Sequence, residues 1–208
     1  MEQEIRDTSF TDLDGADFSD GTLTNVSFQD GTLRNVSFEG ASLYGCTFQD
    51  AELAWCNFTG AHLYKCSFFR ANGIGCYFGY GYLFKVTFDH AVFREANFDQ
   101  ARIESCSARN FECKNADLTD VSFSSCCLVA AEFDEACAIR SRWLESDLTG
   151  VNLFDSDLID AYFYKCSVEY AAITGADITG MTLQFTDISK LMLSPRQRET
   201  LEKKDAST

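Results

Sequence analysis

The chain has 208 residues, of which 32 are acidic and 17 are lysine or arginine, so its formal net charge is −15. This excess argues against direct binding of nucleic acid, which needs a basic surface. The sequence has no run of 18 apolar residues and no signal segment at its start, so we expect a cytoplasmic protein of one domain without membrane contact.

A repeat of five residues begins after residue 10. Residues 1–10 lie outside it, and we expect them to form an N-terminal cap in which Ile5 and Phe10 cover the first coil. From Leu13 to Leu193, large apolar residues occupy 33 of the 37 positions spaced five apart, and a small residue stands two positions before nearly all of them. A period of five matches neither a helix nor a strand, and it indicates a solenoid.

The number of corners in each coil follows from the size of the inward residues. Three corners would crowd phenylalanine at the axis, and five would leave a void that close packing forbids. We therefore predict an all-β fold over residues 11–193, a right-handed four-sided parallel β-helix of about nine coils. The sides are named by their first large inward residue, and each side returns at every fourth unit: side 1 from Leu13, side 2 from Phe18, side 3 from Leu23 and side 4 from Phe28.

Many units share one short pattern, a small residue, then Asp or Asn, then a large apolar residue. It is seen in Ala16–Asp17–Phe18, Cys56–Asn57–Phe58, Ala96–Asn97–Phe98, Ala116–Asp117–Leu118 and Ala176–Asp177–Ile178. Over residues 11–193 the chain resembles the pentapeptide repeat proteins, in which a four-sided coil is known. The best-understood members of that family are bacterial proteins that imitate duplex DNA, bind DNA gyrase or topoisomerase IV and protect it from quinolones or other poisons. The resemblance implies the same role here.

The repeat is least regular over residues 103–143. Ala108, Cys113 and Ala138 stand at large positions there, and Phe111 stands at a small one. The exchange between Phe111 and Cys113 roughly conserves interior volume. We expect a bend or an altered strand in this part of the chain.

The pattern changes over residues 194–208. Ser194 is a predicted helix cap, with Pro195 at the first helical position and Gln197 three residues after the cap. We predict a short helix from Pro195 to about Lys204, followed by a frayed tail. An end-to-end homodimer contact is predicted through four apolar residues near this end: Leu191, Met192, Leu193 and Leu201.

The ten cysteines suggest structural thiols. Seven of them occupy small inward positions, where a thiol is a compact apolar filler. The sequence has no CxxC pair, and its two histidines, His62 and His90, fall on different sides, so we expect no zinc site and no cofactor. We expect the cysteines to stay reduced in the cytoplasm.

Two neighbouring sides hold most of the excess charge. Side 1 carries nine acids and three bases, and side 2 carries nine acids and one base. Acidic sides of this kind present a field that steers a basic, DNA-binding partner. The residues predicted to contact it are Asp12, Asp14, Asp17, Asp20, Asp99, Asp117, Asp120, Glu132, Asp134, Glu135, Asp157, Asp160 and Asp177. The alternative is that Asp simply suits the repeat and keeps the rod soluble.

Side 3 has a different composition, with five bases against two acids. Aromatic residues recur one coil apart on it, with lysines beside them, and they form a candidate second binding face: Tyr44, Tyr64, Phe84, Tyr164, Lys65 and Lys85. Such ladders also stabilise sheets by packing against each other, and this alternative stays open.

The sequence does not favour an enzyme. It shows no nucleophile–base pair, no paired catalytic carboxylates and no phosphate-binding loop, and a filled rod offers no concave pocket. The leading hypothesis is a DNA-mimicking protein that binds gyrase or topoisomerase IV and confers quinolone resistance. The alternative is a non-enzymatic interaction scaffold with another partner.

Overall fold

The computed structural model of the protein describes residues 4–205, and one strand of three residues recurs in every coil of it. The strands are β1 Glu4–Arg6, β2 Thr22–Thr24, β3 Ser42–Tyr44, β4 His62–Tyr64, β5 Tyr82–Phe84, β6 Arg102–Glu104, β7 Ser122–Ser124, β8 Arg142–Leu144, β9 Tyr162–Tyr164 and β10 Thr182–Gln184. A 3-10 helix, Ile188–Lys190, and the helix α1, Pro195–Asp205, follow them. Among residues 4–205, no helix has the length and apolar character needed to cross a membrane.

The strands lie on side 3 and form one parallel sheet in chain order. From β2 onward each residue pairs with its counterpart in the next coil, four units later, as in Leu23 with Leu43 and Trp143 with Phe163. The other sides hold isolated parallel bridges with the same spacing, such as Asp17 with Ser37. This register confirms the predicted four-sided β-helix.

Each unit of the repeat contains the same five positions: small inward, leading, large inward, trailing and corner. The corner residue adopts a left-handed conformation on all sides, as in Asp20, Tyr80 and Asp160, with φ of 55°, 59° and 56°. Asn and Asp tolerate this region better than other residues with a side chain. Glycine, asparagine and aspartate accordingly occupy about half of the corners.

Two opposite columns of phenylalanine rings fill the N-terminal half of the interior. Phe38 and Phe58 of side 2 stack with ring centroids 4.7 Å apart, and so do Phe48 and Phe68 of side 4. The columns meet edge to face, as between Phe48 and Phe58 at 5.6 Å. Both geometries are favourable for aromatic pairs and add to the burial of the rings.

The expected bend over residues 103–143 is wrong, because the strands keep their length and pairing through it. Instead, large side chains inside the coils fill the volume left by small residues at large positions. The Phe111 ring lies 5.3 Å from Phe88 and 5.8 Å from Phe93, in space left by Ala108 and Cys113. A second compensation occurs in the coil of Ala138, where the buried Trp143 stacks between its neighbours in the sheet and donates a 2.9 Å hydrogen bond to Ser141.

The N-terminal residues continue the sheet with a shorter spacing. Ile5 pairs with Leu23, two positions short of a full coil, whereas Asp12 already pairs with Thr32, one full coil later. Ile5 and Phe10 pack against the core, and the Phe10 ring stacks on Phe28 at 5.8 Å. The strand β1 thus covers the first full coil.

At the C-terminal end, α1 lies against the last coil. Ser194 and Gln197 form the predicted capping box, with the Gln197 N–H donating to Ser194 Oγ at 3.3 Å and the Ser194 N–H donating to Gln197 Oε1 at 3.0 Å. The Gln197 amide also donates to the carbonyls of Ile173 and Ala176. Leu201 is buried beneath the helix. The tail from residue 206 lies outside the described residues, and the division of the chain at residues 10 and 194 stays a prediction.

The ten cysteines are unpaired, and eight of them are buried. Several donate to the carbonyl of a large inward residue in the preceding coil, as Cys56 does to Leu33 at 2.7 Å. Burial raises the pKa of the Cys113 thiol, which holds it in the neutral form. In the described part of the chain, no group of three His, Cys, Asp or Glu side chains is placed to hold a metal ion.

Candidate functional site

Leading aspartates and asparagines hold the turns that follow them. On side 2, the N–H of the trailing residue donates to the leading side chain: Ser19 to Asp17 at 2.9 Å, Thr119 to Asp117 at 3.0 Å. Ile159 and Thr179 donate in the same way to the leading aspartates Asp157 and Asp177. These local bonds replace a strand bond and fix the turn. The leading carboxylates of side 2 therefore serve the fold as well as the surface.

The described leading residues of side 3 do not form this hydrogen bond. Among them, Tyr82, Arg102 and Tyr162 make no bond to the trailing N–H within residues 4–205, and the trailing residues remain in the strand. Aromatic and β-branched residues suit an extended backbone. For this reason, side 3 alone carries named strands, and its leading and trailing side chains both point outward.

The predicted acidic residues of side 2 form two adjacent columns. Asp17, Asp117, Asp157 and Asp177 occupy leading positions, and Asp157 and Asp177 are direct neighbours in the register. The trailing and corner acids at the edge shared with side 3 are Asp20, Asp99, Asp120 and Asp160. Hydrogen bonds from Ser19 and Thr179 lower the pKa of the Asp17 and Asp177 carboxyls, so both are ionised well below neutral pH.

Ion pairs neutralise part of the predicted acidic surface. Arg140 forms a two-bond pair with Asp120, with Nε 2.8 Å from Oδ1, and it holds the pKa of that carboxyl below its usual value. On side 1, the Lys114 ammonium lies 2.7 Å from Glu132 and 3.6 Å from Asp134.

The other predicted acids of side 1 are placed differently. Asp12 is a leading residue bridged to Thr32, Asp14 accepts the Arg34 N–H at 2.8 Å, and Glu135 is a corner residue.

An aromatic band interrupts the acidic columns of side 2. Tyr77 and Tyr80 of side 2 are 44% and 62% exposed, and Trp55, the side 1 corner residue that adjoins side 2, is 49% exposed. All three lie between Glu39 in one coil and Asp99 three coils later. Sequence reasoning missed this band, although reading the leading and corner residues of every fourth unit would have located it. The C-terminal group, from Asp99 to Asp177, is therefore the larger acidic surface, interrupted by the unit at residues 136–140, which carries Arg140 and no acid.

The aromatic residues predicted on side 3 are in contact. The Tyr44 and Tyr64 ring centroids lie 6.3 Å apart, and Tyr64 stacks on Phe84 at 5.5 Å. The ammonium groups of Lys65 and Lys85 each lie 5.1 Å from the centre of the preceding ring.

A second cluster follows near the C-terminal end of the same side. It contains Tyr164, with the Lys165 ammonium over its ring, and two neighbours, Tyr162 at 6.3 Å and Phe185 at 5.7 Å.

The predicted dimer residues divide into two groups. Leu191 and Leu201 are buried in the fold, whereas Met192 is 53% exposed and Leu193 is half-buried. The end-to-end contact stays a prediction, and only Met192 and Leu193 offer surface for it.

Comparison with protein families matches almost the whole repeat. Residues 11–50, 23–60, 37–72, 51–89 and 96–134 match the family of pentapeptide repeats, described as eight copies, and residues 116–193 match the pentapeptide repeat region. No curated protein sequence matches the chain.

Several solved structures are similar to the chain. Full-length QnrB1, a plasmid-mediated fluoroquinolone resistance protein, is 18% identical, with 97% of this chain and 98% of that chain covered and a TM-score of 0.50. HetL, a pentapeptide repeat protein involved in heterocyst differentiation regulation in the cyanobacterium Nostoc sp. strain PCC 7120, is 20% identical, with 92% and 90% covered and a TM-score of 0.48. A pentapeptide repeat protein of the Arabidopsis thaliana thylakoid lumen is 25% identical, with 61% and 67% covered and a TM-score of 0.29.

Proposed function

The chain belongs to the pentapeptide repeat family, and from that premise we propose that it is a non-enzymatic binding protein whose acidic surface imitates duplex DNA. The proposed partner is a type II topoisomerase, DNA gyrase or topoisomerase IV. The proposed outcome is protection of that enzyme from quinolones, a role in line with the fluoroquinolone resistance named for QnrB1.

The observation that carries this proposal is the C-terminal acidic group of side 2. Its carboxylates lie in two columns that run along the rod. Asp157 and Asp177 are one coil, about 4.8 Å, apart, whereas Cys137 separates Asp117 from Asp157 and Arg140 separates Asp120 from Asp160. The phosphates of one DNA strand are about 3.4 Å apart along the axis. A groove whose lysines and arginines bind a row of phosphates therefore meets a comparable row of anions here, at lower density.

The carboxylates are also held in place before any partner binds. Asp117 and Asp157 are bonded to the backbone of the following turn, and Asp160 occupies a left-handed corner. Side chains that are ordered in advance lose less entropy on binding. Fixed rows of charge also raise the rate at which an oppositely charged partner associates.

A scaffold with a different partner is the second candidate. It is favoured by the aromatic band of Trp55, Tyr77 and Tyr80, which breaks the acidic columns, and by the structural use of the leading aspartates. In that case, the excess of aspartate follows from the demands of the turns, and the partner contacts another surface.

The test uses supercoiling by gyrase and decatenation by topoisomerase IV, each with and without a fluoroquinolone. We expect the protein at micromolar concentration to inhibit the enzyme or to restore its activity in the presence of the drug. A variant combining Asp117→Asn, Asp157→Asn and Asp160→Asn keeps the hydrogen bonds and the corner preference but removes three charges. It is expected to bind at least about tenfold more weakly and with a smaller salt dependence.

Side 4 provides a matched control. Asp147 and Asp187 are leading residues that accept the trailing N–H, and Asp30 is a left-handed corner. Their replacement by asparagine removes the same charge from the same structural positions, and it should leave binding unchanged. Equal loss in both variants, or no effect of the unmodified protein on either enzyme, would refute the proposal.

A further inference from the structure

Side 3 carries a nearly symmetric column of leading residues across five consecutive coils. In chain order it reads Tyr82, Arg102, Ser122, Arg142 and Tyr162, and strand pairing places each one beside the next. At about 4.8 Å per coil, the tyrosines are about 19 Å apart and the arginines about 10 Å apart. Tyr82, Arg102 and Ser122 line a shallow groove, and Arg142 and Tyr162 continue the column beyond it; the five positions together are called the trough.

Four of the five cations on this side have no carboxylate partner in the described part of the chain. Among residues 4–205, Lys65, Lys85, Arg102 and Arg142 have no carboxylate within 4 Å. On the other sides, Arg70, Arg94, Lys114 and Arg140 each contact one, whereas Arg34, Arg109 and Lys190 contact none that the structure describes, so side 3 has the largest number of unpaired cations. Unpaired cations on one side of a strongly acidic rod indicate an anionic partner.

The two acids of side 3 are already engaged. Glu104 accepts the Tyr82 hydroxyl at 3.0 Å, and Glu145 lies 3.7 Å from the Lys165 ammonium. They flank the trough and leave its two arginines available.

The aromatic rings favour a polypeptide over a nucleic acid. Ring faces of the trough are partly covered within the protein, because Tyr82 stacks against Phe84 and Tyr162 against Tyr164, each with ring centroids 6.3 Å apart. The Arg142 guanidinium lies 5.3 Å from the Tyr162 ring centre. Nucleobases need an exposed face on which to stack. Ring edges and hydroxyl groups are suited to contacts with the side chains of a polypeptide.

We propose that this trough, defined by Tyr82, Arg102, Ser122, Arg142 and Tyr162, docks an acidic amphipathic helix of a partner protein. Residues seven apart on a helix are about 10.5 Å apart on one face, which matches the separation of the arginines. Apolar residues 14 positions apart lie about 21 Å apart on nearly the same face of the helix and can reach both tyrosines. A small residue midway faces Ser122. The inference is independent of the acidic surface of side 2.

The spacing of the two arginines also argues against a second copy of the chain as the partner that binds in the trough. A two-fold axis through Ser122 would place the arginines of one copy against the arginines of the other. Like charges facing each other oppose such a contact.

The experiment measures fluorescence anisotropy of a labelled helical peptide of about 15 residues. The peptide has two glutamates seven positions apart, a leucine at each end of the same face, and alanine or glutamine elsewhere. We expect saturable binding that weakens at least about tenfold in the variant Arg102→Gln with Arg142→Gln. A peptide with glutamines in place of the glutamates should bind as weakly and should not respond to that variant.

The control variant, Arg34→Gln with Arg109→Gln, removes two arginines from sides 1 and 4 and should bind normally. Circular dichroism and urea unfolding verify that all variants remain folded. Three results would overturn the proposal: equal binding of the glutamine peptide, tighter binding of an oligothymidine, or a dimer of the chain that the Arg102 and Arg142 substitutions dissociate.

Discussion

Sides 2 and 3 are adjacent and have the same five-residue period, but their outward residues have different roles. On side 2, the leading Asp117 accepts the N–H of Thr119 and forms the turn, and Asp160 suits a left-handed corner. On side 3, the leading and trailing residues stay in the strand, and their side chains take no part in a turn. The same outward positions are thus partly structural on one side and available for binding on the other.

This difference decides how each surface is tested. On side 2, charge must be removed without loss of the hydrogen bond, and asparagine does so because its side-chain oxygen still accepts the turn N–H. On side 3, outward residues are replaceable with little effect on stability, so loss of binding there reports on contact with a partner.

The largest effect is expected from substitutions that remove interior contacts beneath the two sides. Phe78→Ala, under side 2, deletes a buried ring stacked 4.8 Å from both Phe58 and Phe98, and it should lower the free energy of unfolding by about 3–5 kcal/mol. Leu83→Ala, under side 3, should cost about 2–5 kcal/mol. Urea unfolding followed by circular dichroism measures both. A cost below about 1 kcal/mol at either site would contradict the packing described.

A smaller effect separates the leading residues of the two sides. Asp117→Ala leaves the Thr119 N–H without its acceptor and should cost about 1 kcal/mol, whereas Asp117→Asn should be nearly neutral. On side 3, Ser122→Ala should change stability by less than about 0.5 kcal/mol. Equal destabilisation by Asp117→Ala and Asp117→Asn would show that charge, and not the turn bond, matters at this position.

Acid pH should destabilise the fold, partly through the aspartate carboxyls of side 2. The pKa of the Asp17 and Asp177 carboxyls is lower in the folded protein than the ordinary value of 3.8. Their stabilisation is therefore present above that value and is lost as the pH falls through the folded pKa. We expect the urea concentration at the unfolding midpoint to decrease as the pH is lowered below about 4. This decrease should be less steep in the variant Asp17→Asn with Asp177→Asn. Lys85→Gln on side 3 is the control and should leave the slope unchanged.

The smallest expected effect concerns Arg140, which neutralises Asp120 within the acidic group. An exposed ion pair contributes little to folding, so Arg140→Gln should leave the urea midpoint nearly unchanged. If side 2 binds a basic groove, the same variant should bind the topoisomerase about two- to fivefold more tightly, because one more carboxylate is unpaired. Weaker binding would favour contact through another surface.

Much of this architecture is readable from the residues alone. Counting in fives identifies the inward positions, and counting four units to a coil places Tyr44, Tyr64 and Phe84 in one column, as the structure shows. The expected bend near Phe111 was wrong. The sequence indicated that Phe111 offsets the small Cys113 in volume, but only the structure shows where the ring lies, 5.3 Å from Phe88 and 5.8 Å from Phe93.

The sequence by itself determined the coil, its four sides and the net charge of each side, because an unbroken period assigns every residue to one position. Only the tertiary structure decided which charges remain unpaired. Lys114 contacts Glu132, in the following coil, and Arg140 contacts Asp120, in the preceding one. Both contacts depend on whether a long side chain extends toward the preceding or the following coil, and a repeat count contains no information about that direction.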